Sequence, residues 1–230
     1  MYIHFSTPMK TVGNLEKVKL VDENGNELKN VFFNNAYELW NKEQTQLTLI
    51  LDPARVKTGL EANNTFGRAL RPNSKCILII DGLEDVHHQR MRKPFQKEIN
   101  VEHADYQIPN TEKWQFNIPE SNSKETFVVR FPQMLDYNSL RQRLLLTDSK
   151  KKPIKGLVDI KKHETEWHFS PNEPWQCGGY ILHVNSRLED PAGNNLNGLF
   201  DHEVGTLKYE KEGVVETIPF QICKVDKSYK

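Results

Sequence analysis

Histidines and carboxylates are the side chains from which this chain could build a metal or hydrolytic site, and their spacing argues against most such sites. His87 and His88 are adjacent, and neighbouring side chains of an extended chain point to opposite faces. One of them could ligate a transition metal; a solvated loop pair is the expected state. His163 and His168, five apart around a strand, fall on opposite faces, whereas metal ligands must converge. His183 and His202 sit on neighbouring segments and are expected to meet only as a surface cross-strand pair. The run from Asp190 to Asn195 (DPAGNN) offers about three oxygens where calcium wants six to eight, so a plain hairpin turn is expected there. Asp81, Glu84 and Asp85 make a similar half-site. Ser6 and Ser170 lack a GxSxG context, no glycine-rich phosphate loop is present, and no Asp/Glu spacing compels a glycosidase. The expectation is a chain with no catalytic residue, no cofactor and no resident metal.

Aromatic side chains are the other candidates. Trp40, Phe66 and Trp175 fall in segments read as loops, where exposed rings could stack on sugars; they form the candidate ligand platform. The competing reading is that they plug the open ends of a β-sandwich. Trp167 alternates with Phe169 along EWHFSP and is expected in a core. Cys76, Cys177 and Cys223 form no CxxC and share no repeated spacing, so small buried or half-buried thiols are expected, with a Cys177–Cys223 bridge as the alternative.

The elements that must position these residues are strands, and the chain states them twice. CILIIDGLEDVHHQRMRKPFQKE (Cys76 to Glu98) returns as YILHVNSRLEDPAGNNLNGLFDHE (Tyr180 to Glu203). Each passes from an apolar run through Leu-Glu-Asp, loops out, and resumes at Phe95 or Phe200. Upstream, Phe5 to Val31 aligns without a gap on Phe131 to Leu157, matching Asp22 with Asp148 and Leu28 with Ile154. Asn24-Gly25 is a hairpin signal, with Leu28 to Phe33 as the returning strand and Leu157 to Ile160 as its counterpart. QLTLILDP (46–53) alternates cleanly and matches EWHFSP (166–171). Residues 54–72 are an insertion of the first copy, with room for one helical turn at 54–60. The loop DVHHQRMRK has no glycine and is expected to be more open than DPAGNN. Trp114 to Ile118 reads as the first strand of the second domain, and Val214 to Cys223 as its last. MYIHFSTPMK reads as a strand already under way, so the first domain is expected to lack its first strand. The short strands, frequent turns and near-absence of helical periodicity predict an all-β chain of two antiparallel sandwiches, residues 1–103 and 104–230.

Lys plus Arg equals Asp plus Glu at 31 each, without the basic excess of a nucleic-acid binder. No apolar run approaches the ~20 residues of a membrane span, and the chain carries no signal-peptide core. FSTPM (5–9) with its copy FPQML (131–135), the turn VDENGNEL, RPNSKCILIIDGLED and YILHVNSRLEDPAGNNL resemble bacterial Ig-like domains of the type found in S-layer proteins. ELWNKEQTQLTLILDPARVKTGL followed by GRAL is similar to tandem proteins of bacterial envelopes. The resemblance implies two tandem Ig-like domains in an extracytoplasmic, cell-envelope module. Such a module acts as spacer or adhesive, with other envelope proteins or surface glycans as partners, and the family supplies no catalytic residues. The alternatives are a carbohydrate-binding accessory region of a larger surface protein or enzyme, and an enzyme in its own right.

Overall fold

The structure, a computed structural model, describes residues 1–33, 37–201 and 213–223. It is mostly β, built of antiparallel sheets, and divides into two compact units, Met1–Ala104 and Asp105–Lys230.

The first unit holds β1 (Tyr2–His4), β2 (Val18–Asp22), β3 (Leu39–Trp40), β4 (Gln46–Thr48), β5 (Ser74–Ile80) and β6 (Phe95–Val101). They form two three-stranded sheets, ordered β1-β4-β3 and β2-β5-β6. Alternation decides the inward face. Leu47 and Leu49 point in from one sheet, Val18, Leu20, Cys76, Leu78 and Ile80 from the other, and all join one buried cluster. Leu28 to Phe33 is no regular strand: the Phe32 to Leu51 bridge and single backbone bonds, Leu28 N–H to the Leu20 carbonyl and Phe33 N–H to the Ile50 carbonyl, both at 2.8 Å, tie it down.

The insertion folds on a buried cation. Asp52 caps α1 (Pro53–Val56) by accepting from the Ala54 N–H at 2.9 Å, and α2 (Glu61–Phe66) follows. Arg55, on α1, sends its guanidinium inward to donate to the carbonyls of Gly67 at 2.8 Å and Lys29 at 3.1 Å. The insertion thus holds two short helices where one turn is expected.

The second unit holds β7 (Gln115–Asn117), β8 (Phe127–Arg130), α3 (Tyr137–Gln142), β9 (Leu144–Asp148), β10 (Gly156–Lys161), β11 (Glu166–Pro171), β12 (Gly178–Asn185) and β13 (Val215–Ile222). Its sheets are β10-β11-β8-β7 and β13-β12-β9, and both contribute to one aromatic core. Phe127 stacks on Phe220 at 4.6 Å, Trp167 on Phe169 at 5.7 Å, and Trp175 meets Tyr180 edge-on at 5.3 Å. Two sequence expectations are corrected. The strand after the Asp148 turn does not return along β9 but crosses to pair with β11. Phe200 does not begin the strand beside β12; that place is taken by β13, and Phe200 lies against Gly193 in a loop.

Trp167 is 1% exposed, on the face its alternation predicts, and its indole N–H has no hydrogen-bond partner among the described residues. Trp167→Ala is expected to destabilise the second unit by ~3–5 kcal/mol in urea denaturation. Trp167→Phe should cost clearly less, because it keeps most of the ring and removes an unsatisfied donor. Near-neutral behaviour of the alanine variant would contradict the packing.

Candidate functional site

In four loops, two of them opened by the candidates Asp85 and Asp190, one aspartate performs the same task. Asp22 Oδ1 accepts the N–H groups of Asn24 and Asn26 at 2.9 and 2.8 Å. Asp85 does so with His87 and Gln89 at 2.8 and 2.9 Å, and Asp148 with Lys150 and Lys152, both at 2.9 Å. Asp190 completes the set with Ala192 and Asn194, both at 2.9 Å. In each loop the fourth residue has positive φ: Gly25 at 81°, His88 at 64°, Lys151 at 62° and Gly193 at 85°. The expectation of an open loop after Asp85 is therefore wrong, since His88 takes the left-handed position that glycine holds in DPAGN. His87 and His88 lie within the turn, and His88 Nδ1 is 2.9 Å from Lys10 Nζ, an ammonium that competes with any cation.

This geometry engages Asp85 and Asp190, one carboxylate from each calcium half-site. Asp190 is buried, its Oδ2 accepts from Asn194 Nδ2 at 3.0 Å, and burial pushes its pKa up despite the hydrogen bonds. Glu84 is gripped by Lys10 and by Arg90, whose Nε lies 2.6 Å away, and Lys10 first among these causes lowers it to about 2. Among the described residues no three of His, Cys, Asp and Glu group as metal ligands. His183 Nε2 is 2.9 Å from Thr147 Oγ1, and its expected partner His202 lies outside the described residues. His163 sits in the β10–β11 turn at φ 53°, apart from His168.

Of the three platform aromatics, Trp175 is withdrawn from the surface. Trp175 is 2% exposed in the second unit, with Nε1 donating to the Glu125 carbonyl at 2.7 Å. Its loop position suggested exposure, but the ring closes the aromatic core. Phe66 is exposed in the first unit, 5.7 Å from the guanidinium of Arg55. Trp40 is half-buried on β3, 5.5 Å from Phe5.

Trp40 nevertheless lines a cleft of about 510 Å³ in the first unit, together with Tyr37, Glu38, Val12, Leu15 and Lys42. Glu38 organises it. Its carboxylate accepts the Asn14 backbone N–H, Asn14 Nδ2 at 2.7 Å, the Leu15 N–H at 3.2 Å and Trp40 Nε1 at 3.0 Å. Burial pushes the Glu38 pKa up, but the bonds from Trp40 and Asn14 outweigh it and the net shift is downward. Tyr37, 83% exposed, stands at the rim and offers an open ring face. The Glu38–Trp40 pairing was legible as an i, i+2 relation in an extended segment, and reading AYELWNKE as a loop hid it.

One histidine does meet a carboxylate. Glu166 on β11 accepts from Lys162 Nζ at 2.8 Å and Arg130 Nε at 3.0 Å, and its other oxygen is 2.8 Å from His168 Nε2. Lys162 first, then His168 and Arg130, lowers its pKa from the ordinary 4.5 to about 2. Such a carboxylate takes up no proton near neutrality and is a charge clamp rather than a base. A lowered folded-state pKa adds stability above the ordinary value, lost as pH falls through the folded one. The second unit should therefore lose stability between about pH 4.5 and pH 2. Glu166→Gln should flatten that slope in acid denaturation, and an unchanged slope would remove Glu166 from the clamp.

No family model matches the chain, and no curated protein matches it. Among solved structures, the crystal structure of native alpha-2-macroglobulin from Escherichia coli spanning domains MG0-NIE-MG1 is similar at 12% identity with a TM-score of 0.28. The match covers 96% of this chain and 66% of that one, so the chain spans just under two thirds of its length. A TM-score of that size does not define a shared fold.

Proposed function

We propose that the chain is a non-catalytic module of two tandem Ig-like β-sandwiches with a structural or interaction role at the bacterial cell envelope. The observation that supports it most is the use made of the acidic side chains. Asp22, Asp85, Asp148 and Asp190 hold backbone turns, Glu84 and Glu166 hold cations, and Glu38 fixes Asn14 and Trp40. A general acid or nucleophile must be able to change its protonation or its bonding during a cycle, and these groups are already engaged. The matched Leu-Glu-Asp segments and the resemblance to S-layer-type Ig-like domains support the tandem reading and the envelope location.

A second reading, a carbohydrate-binding accessory region of a larger surface protein, is favoured by the cleft beside Tyr37 and Trp40. An exposed phenol ring next to an ordered indole and a fixed carboxylate is the kind of surface on which a sugar ring stacks. Titration of the full chain with cell-wall oligosaccharides and with calcium, read by calorimetry and thermal shift, separates the two. The first reading expects no saturable heat and no shift. Saturable oligosaccharide binding that is lost in Tyr37→Ala would replace it with the second, and the exposure of Tyr37 makes that variant safe for folding.

A further inference from the structure

The open end of the β12–β13 ladder carries two cysteines. The register pairs Gly178 with Ile222, so the next position outward sets Cys177 opposite Cys223. Hydrogen-bond parity identifies the kind of pair. The Ser186 N–H donates to the Val214 carbonyl at 2.9 Å, so 186 and 214 face each other as a hydrogen-bonded pair. Alternation then puts 178 and 222 in a hydrogen-bonded pair and 181 and 219 in a non-bonded one. Pro219, which has no N–H to give, occupies that non-bonded position opposite Ile181. The 177–223 position is therefore also non-bonded, the type in which Cα atoms approach to about 4.5 Å, inside the ~4.4–6.8 Å range of disulfides.

Side-chain parity agrees. Tyr180, Leu182, Val184 and Ile222 are buried, while Cys177 and Cys223 are both exposed on the outer face. The neighbouring Cys177 thiol pushes the Cys223 pKa up. The segment leading into Cys177 is held on both sides. The Tyr180 hydroxyl bonds both the N–H and the carbonyl of Gln176 at 3.0 Å, and the Trp175 N–H donates to the Ser123 carbonyl at 2.9 Å.

We propose that Cys177 and Cys223 are a redox site: they close a cross-strand disulfide that clasps edge strand β13 to β12. The oxidant is a small disulfide of the glutathione class. One cysteine, as thiolate, attacks it, forming a mixed disulfide and releasing one thiol. The second cysteine then attacks the mixed disulfide, forming the Cys177–Cys223 bond and releasing the second thiol. Two protein S–H bonds are lost, one S–S bond is formed, and the small disulfide is reduced to two thiols. The bond closes the chain through the long segment between β12 and β13, restricting the unfolded state, and its exposure leaves it open to reduction. This inference does not depend on what the module binds.

The test uses the full chain, reduced and then treated with oxidised glutathione at mildly alkaline pH. Intact mass should fall by two hydrogens, peptide mapping should join the segments containing residues 177 and 223, and Tm should rise by roughly 5–10 °C. Reductant should reverse all three. Cys177→Ser and Cys223→Ser should each keep a glutathione adduct on the remaining thiol and gain no Tm. Stable adducts on both cysteines of the unaltered chain, disulfide-linked dimers in place of the internal bond, or an internal bond without a rise in Tm would overturn the proposal.

Discussion

One side-chain oxygen accepting two backbone N–H groups sets where this chain turns. In the loops opened by Asp22, Asp85, Asp148 and Asp190 the carboxylate takes the third and fifth N–H of a five-residue loop. The aspartate's own carbonyl takes the fourth, and its own N–H donates to the fifth carbonyl. A charged acceptor makes these bonds stronger than neutral ones and leaves the loop little freedom. The strands are placed by them. Beyond Asp22 and Asp148 the chain makes the same next bonds, Leu28 to the Leu20 carbonyl and Ile154 to the Leu146 carbonyl, at 2.8 and 2.9 Å. Beyond Leu-Glu-Asp the Lys10 N–H reaches the Glu84 carbonyl and the Asp136 N–H the Glu189 carbonyl.

The two units fill this common frame differently. Where β4 carries Leu47 and Leu49, β11 carries Trp167 and Phe169. The second unit closes its core with stacked rings and short loops, Trp175 being one of the closures. The first has a leaner aliphatic core and a long insertion folded on Arg55. A buried guanidinium is tolerable there because backbone carbonyls satisfy it, and no carboxylate is needed.

Much of this was legible in the letters. The alternation of QLTLILDP and EWHFSP places Leu47, Leu49, Trp167 and Phe169 on buried faces because strand periodicity is local. Leu-Glu-Asp marks a conserved loop geometry between Asp85 and Asp190. What failed was long-range or tertiary. Nothing near Leu157 says that β10 will leave β9 for β11, and nothing in FDHE says that the strand beside β12 waits until Val215. Trp175 sits in a loop by every local signal and is buried only because Tyr180 and Phe169 close on it. Of the candidate site, Trp40 was visible, while the role of Glu38 depends on Asn14, more than twenty residues away in sequence.

The four loops read DENGN, DVHHQ, DSKKK and DPAGN, and only the first letter is shared. A shape that depends on one carboxylate and one residue willing to turn left-handed leaves the other positions open to replacement. Acidic, histidine-bearing, lysine-rich and proline-bearing versions all coexist on the same backbone path. Mutation can therefore rewrite the charge displayed at each hairpin tip without moving a strand, and the architecture can outlive the sequence signature by which it would be found.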